Sequence, residues 1–283
     1  MSVRTRAMSA IQWPPARNAV KDCVRGYAWA RGGALTATGK LPTIANLYTA
    51  SSPKGGSQFM KELFSHPIVT AHTGLFTLPQ RDYQDHLDRP LPAGTYAPGI
   101  YMSWDEFNRI PKKHPWRLIY VFRDPREICV SGYFSAVGVH PPMPHDRVEE
   151  FRDQVRAMPL SDGLLACIEF GAHRVTEMST WVDVEHPDVF KARLEDIEAD
   201  PGTWIPKMLE HAGVALSPTE MAGVLADVSR DALQARDLAQ REEGSESHYR
   251  VNRLGFRDLF GPEHYAACEA ASPGLAARLG YPA

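Results

Sequence analysis

Cysteine is scarce and scattered in this chain. Cys23, Cys129, Cys167 and Cys268 are the four in 283 residues, with no CxxC pair and no His/Cys spacing suited to zinc. That excludes a disulfide framework and a zinc finger, and it reads as four reduced thiols, mostly packing residues. Long apolar runs are also missing: no stretch approaches the roughly 18 residues of a membrane-crossing helix. Charge of one sign is wanting too. Lys and Arg total 31 against 34 Asp and Glu, a formal net charge of −3, which removes the global basic field of a nucleic-acid binder. No Walker A pattern GxxxxGK[ST] occurs, and there is no repeat or low-complexity tract. What is present suits a soluble chain, expected in the cytoplasm: 43% hydrophobic and 23% charged residues, enough for one full core.

The expected organisation is a basic N-terminal arm over residues 1–40 and a single domain over 41–283. The arm holds Arg4, Arg6, Arg17, Lys21, Arg25, Arg31 and Lys40 against Asp22 alone. Within it Val20, Cys23, Val24, Tyr27 and Ala28 recur at helical spacing, with Arg17, Lys21 and Arg25 off that stripe. Such an amphipathic helix docks on its own domain, or else makes peripheral contact with an anionic membrane surface.

Beyond the arm, apolar runs alternate with helical patterns. "TIANLYTASS" ends at Pro53 as a buried strand does, and a helix follows with Phe59, Met60, Leu63 and Phe64 on one face, ending near His66-Pro67. "IVTAH" reads as a second strand, "WRLIYVFRDP" as another, "REICVSGYFS" as a helix and "DVFKARLED" as a further strand. Strands of this kind between helices predict a three-layer α/β fold with a central parallel sheet. Residues 79–115 and 138–160, rich in Pro, Gly and charge, read as long loops over the carboxyl edge of that sheet, where such folds bind ligands.

Two segments carry chemistry. Pro53-Lys54-Gly55-Gly56-Ser57-Gln58 lies between a strand and a helix. There backbone N–H groups and a helix N-terminus hold an anion, glycines allow close approach, Ser57 and Gln58 add donors, and Lys54 adds a point charge. The same six residues also suit a plain turn. Farther on, Arg123 ends an apolar run and Ser131 lies eight residues later in the next helix, so both can point at one phosphate above the sheet, or else stand as a surface ion pair and a solvated hydroxyl.

Together these segments resemble the PAPS-dependent sulfotransferase family, PAPS being 3'-phosphoadenosine 5'-phosphosulfate. "SSPKGGSQF" is similar to the family's 5'-phosphosulfate loop YPKSGTTW, and "FRDPREICVSGYFS" to its 3'-phosphate segment RNPxDxxVSxY. "HYRVNRLGFRDLF" partly resembles RKGxxGDWKNxF, and "GVHPPMP" a VHPxP loop. The resemblance implies a P-loop-like sulfotransferase fold in which Pro53, Lys54, Gly55, Gly56, Ser57 and Gln58 hold the phosphosulfate and Phe59 stacks on adenine. It places Arg123, Ser131 and Arg250 at the 3'-phosphate, and counts Gly255, five residues after Arg250, with the cofactor-binding set. Leu194, in "RLEDI", stands where the family has a tyrosine near adenine, and Asn252 replaces a glycine.

The implied reaction moves a sulfuryl group from PAPS to a hydroxyl or amine and releases 3',5'-ADP. Lys54 stabilises the departing oxygen, and no metal is needed. The family's KTH histidine has no counterpart in "PGIYMSWDEF", which leaves Asp105 and His72 as candidate bases; Asp105 also suits a helix cap and His72 a structural role. An ATP-dependent phosphotransferase and a non-catalytic nucleotide-binding module stay open as alternatives. Tyr83, Tyr96, Tyr101, Met102, Trp104, Phe107, Met143 and Met158 in the expected lid loops point to a small or lipidic acceptor, with no nucleic-acid partner.

Overall fold

The apolar run Asn46–Ser51 is buried along its whole length and forms β1, the middle strand of a five-stranded sheet. In the computed structural model, which describes residues 14–79, 88–139, 147–239, 249 and 254–282, the other strands are β2 (Phe76–Thr77), β3 (Thr95–Ile100), β4 (Trp116–Phe122) and β5 (Val189–Arg193). The spatial order is β2-β3-β1-β4-β5 and every pairing is parallel. All strands therefore end on one edge, where the following loops gather.

Helices cover both faces. They are α1 (Pro14–Thr38), α2 (Ser57–Phe64), α3 (Pro67–Thr73), α4 (Trp104–Arg109), α5 (Pro125–Phe134), α6 (Arg147–Arg156), α7 (Leu160–Ser179), α8 (Leu194–Ala199), α9 (Pro201–His211), α10 (Pro218–Asp227), α11 (Arg230–Leu238), α12 (Phe256–Leu259), α13 (Pro262–Ala271) and α14 (Leu275–Arg278). Strand alternation divides the core. Tyr48, Ala50, Leu118 and Tyr120 pack with Met178, Trp181 and Leu275 on one face. Leu47, Ile119 and Val121 pack with Met60, Leu63, Phe64, Ile205 and Met208 on the other. These are the three layers predicted from the sequence.

Several local expectations need correction. "IVTAH" is helical, not a strand: the His66 side chain accepts the Ile68 N–H, Pro67 takes the first turn, and Gly74 closes α3 in the left-handed region at φ 64°. Caps at both ends override the β-branched pair Ile68-Val69. The segment 79–115 is not one long loop, because it supplies β3 and α4. Pro98-Gly99 suggests a turn, yet it sits at a bulge where the β1–β3 register shifts, with Gly99 at φ 71°. β2 pairs only with Thr95 and Tyr96, so Pro98 faces no ladder bond on that side. The segment 138–160 likewise contains α6.

The lid aromatics are largely core. Tyr96 and Phe107 are fully buried, and Tyr101 and Met102 nearly so. Trp104 packs edge-on to Trp181 at 5.2 Å, Met158 is exposed, and Tyr83 and Met143 fall outside the described residues. In α1 the inward positions are Ala28 and Gly32, while Cys23 and Tyr27 of the expected stripe are exposed. Arg31 donates to the carbonyls of Gly94 and Gly74, and a Cβ on Gly32 would come within 2.9 Å of the Ala93 nitrogen, so this helix lies directly on the domain. The four cysteines are free thiols. Cys129 and Cys268 approach to 4.0 Å, and that contact together with burial holds the Cys129 thiol well above its usual range.

Candidate active site

β1 delivers the chain to the carboxyl edge at Ser51, and the following turn is tightly wound. Gly55 N–H donates to the Ser52 carbonyl at 2.9 Å, and a Cβ on Gly55 would lie 2.9 Å from that same oxygen. Lys54 has φ 69°, the left-handed region that costs a side-chain-bearing residue roughly 1 kcal/mol. Gly56, at φ 99°, is the N-cap of α2, and no side chain caps that helix. The first-turn amides and the positive end of the helix dipole thus face the turn without an anionic side chain. Ser57 is buried and its Oγ accepts the Tyr101 hydroxyl at 2.7 Å, tying α2 to the end of β3. Beneath Gly55, the Ser51 Oγ is buried with no hydrogen-bond partner among the described residues. Uncapped amides, a lysine and an orphaned hydroxyl fit an anionic group. Pro53, Gln58 and Phe59 are half-buried, Phe59 against the cluster that contains Leu194.

β4 brings the second segment to the same edge. Arg123 Nη1 donates to the Lys54 carbonyl at 2.9 Å, so the two motifs are joined across 69 residues. Arg123 Nη2 lies 3.5 Å from Glu127 Oε2, one turn into α5. Ser131, half-buried, is one turn beyond Glu127. Glu127 Oε1 in turn accepts the Phe256 N–H at 3.1 Å, which places Gly255 and the start of α12 against α5. Gly255 itself donates to Asp258 Oδ2 at 2.9 Å. Arg250 and Asn252 lie outside the described residues.

The candidate bases part company. Asp105 is in the first turn of α4, which follows β3 at the carboxyl edge; it is exposed, and the cap is Ser103 rather than Asp105. His72 belongs to the last turn of α3, just before β2, and Phe76 of β2 is level with Thr95 and Asn46, the starts of β3 and β1. That is the amino edge, opposite the Lys54 turn, and His72 Nε2 is 2.9 Å from Glu220 of α10. Leu194 packs against the loop: a Cβ on Gly56 would sit 3.0 Å from its Cδ1.

Sequence reading missed Glu127, Ser51 and Arg174. Arg174 of α7 accepts the Ser52 hydroxyl at its carbonyl (3.2 Å), donates to the Tyr101 carbonyl (3.3 Å) and pairs with Glu177 at 2.9 Å. Nothing local in the α7 sequence marks this role. Glu127 occupies the acidic position of the RNPxD pattern, a signal that was present in the sequence.

The sequence profile of the sulfotransferase domain matches residues 46–258. The chain belongs to the sulfotransferase domain family. Among solved structures, mouse sulfotransferase SULT7A1 complexed with PAP superposes with a TM-score of 0.57 at 14% identity, over 84% of this chain and 89% of that one. Retinol dehydratase in a complex with retinol and PAP gives 0.51 at 15% identity, over 83% and 82%. At such identities the likeness establishes this sulfotransferase's fold. No curated protein matches it by sequence.

Proposed function

We propose that this sulfotransferase transfers a sulfuryl group from PAPS to a hydroxyl or amine of a small-molecule acceptor. In this reading Lys54 and Gly55–Gln58 hold the sulfated 5' end of the donor, while Arg123, Ser131 and Arg250 hold its 3'-phosphate. The observation that carries it is the hydrogen bond from Arg123 to the Lys54 carbonyl, which brings both phosphate segments to one edge of the sheet. Retinol, present with PAP in a structural neighbour, supports a small organic acceptor. The aromatic residues once expected over the site are mostly core, so a lipidic acceptor draws no support from them.

Bound at this edge, PAPS supplies the sulfuryl group and a diphosphate that leaves. Lys54 places an ammonium where negative charge accumulates, and the α2 amides point at the same region. Tyr101 fixes the Ser57 hydroxyl as part of that cradle. Asp105 shares the edge and is the base candidate this reading retains; His72 sits on the far edge with Glu220.

Isothermal titration with 3',5'-ADP, 5'-AMP and ATP tests the assignment. Wild type should bind 3',5'-ADP at least ~10-fold more tightly than 5'-AMP, and Arg123→Ala should abolish the difference, as expected for a lost charge-assisted contact. Equal weak binding of all three, or a preference for ATP, would overturn the reading.

A further inference from the structure

Among the described residues, Glu127 is an acid that touches both Arg123 and the Gly255–Phe256 turn. Its Oε2 faces Arg123 Nη2 at 3.5 Å and its Oε1 accepts the Phe256 N–H at 3.1 Å. Arg123 uses its other nitrogen on the Lys54 carbonyl. One carboxylate therefore links the strained Lys54 turn, the start of α5 and the Gly255–Phe256 turn. The fit is close: a Cβ at Gly255 would stand 2.6 Å from Oε1. Gly255 has φ −90° and ψ −179°, ordinary extended backbone, so glycine is needed there for space and not for conformation. The site thus leaves room for the carboxylate.

We infer that Glu127 is a positioning residue for the donor nucleotide, resting on the reading of this edge as the PAPS site. It orients Arg123 toward the 3'-phosphate and ties the Gly255–Phe256 turn to α5, so that the guanidinium and that turn are set together. A carboxylate fixed by two donors holds a guanidinium more rigidly than solvent does. Recognition of the 3'-phosphate then depends on Glu127, although an acid beside a phosphate gives no direct attraction.

The experiment compares 3',5'-ADP and 5'-AMP on wild type, Glu127→Ala, Glu127→Gln and Gly255→Ala. Glu127→Ala should weaken 3',5'-ADP about 10-fold, the scale of a lost hydrogen bond to a charged group, and leave 5'-AMP unchanged. Glu127→Gln keeps an oxygen for the Phe256 N–H but turns an NH2 toward Arg123 Nη2, so it should recover only a small part of that loss. Gly255→Ala pushes the carboxylate aside with Glu127 still present and should reproduce the selective loss, which covers the case of an alanine variant at 127 that does not fold. A wild type that discriminates the two nucleotides while Glu127→Ala and Gly255→Ala discriminate equally well would overturn this inference alone. So would parallel loss of both ligands in the variants, the mark of a merely structural role. Failure of wild type to discriminate would overturn the donor-site reading with it.

Discussion

Lys54 joins charge and backbone strain in one residue. Its φ of 69° is held on one side by the Gly55–Ser52 turn and on the other by Arg123 at its carbonyl. Two substitutions separate the properties. Lys54→Ala removes the ammonium and keeps the strain; turnover of labelled PAPS should fall by about 10²- to 10³-fold, with the unfolding midpoint unchanged. Lys54→Gly should be equally inactive yet more stable than the alanine variant by up to about 1 kcal/mol, because glycine enters the left-handed region freely. Denaturant titration beside the activity assay reads both. Full turnover by either variant would remove Lys54 from the reaction.

At the scale of elements, the loop works only as the cap of α2. Gly56 is left-handed at φ 99° and abuts Leu194 of α8. Gly56→Ala should cost about 1 to 2 kcal/mol from the backbone alone and should weaken 3',5'-ADP binding as the turn shifts off the helix axis; binding unchanged by titration calorimetry would show that the amides do not hold the ligand. This loop, Arg123 and strands β1 and β4 were legible in the sequence because each lies within a continuous apolar run or directly follows one, and β5 because Val189, Phe190 and Ala192 form a short strand pattern around Lys191. α3 and β3 were not. Their local residues, Ile68-Val69 and Pro98-Gly99, favour the opposite state, and caps or a bulge decide the outcome. The parts of the site that escaped notice, Arg174 and the links from Tyr101 and Glu127, depend on contacts between elements far apart in the chain.

In the whole molecule, the segment that carries Arg123 is braced by a buried ion pair. Asp124 and Arg126 are 4% and 5% exposed and meet at 2.8 Å, with Arg126 also donating to the Pro282 carbonyl and lying over the Phe256 ring. Asp124 N–H reaches Glu195, which accepts the Tyr281 hydroxyl. Arg126→Ala strands the Asp124 carboxylate away from water and should lower stability by about 3 to 5 kcal/mol, seen as a fall in the urea midpoint at constant slope. A loss below about 1 kcal/mol would mean that water reaches Asp124.

The sheet order has a further consequence, for how the chain comes into being. Among the described residues β1 precedes the other strands and is the central one, and its partners start only at Thr95 and Trp116. During synthesis the backbone N–H and C=O groups along its two edges are therefore fully paired only after Phe122 leaves the ribosome, an interval on the order of ten seconds at ordinary elongation rates. Folding cannot proceed strand by strand from the N-terminus. The strand that ends in the Lys54 turn is for that interval the segment most open to pairing with another copy of itself, and the demand for chaperone cover falls on it.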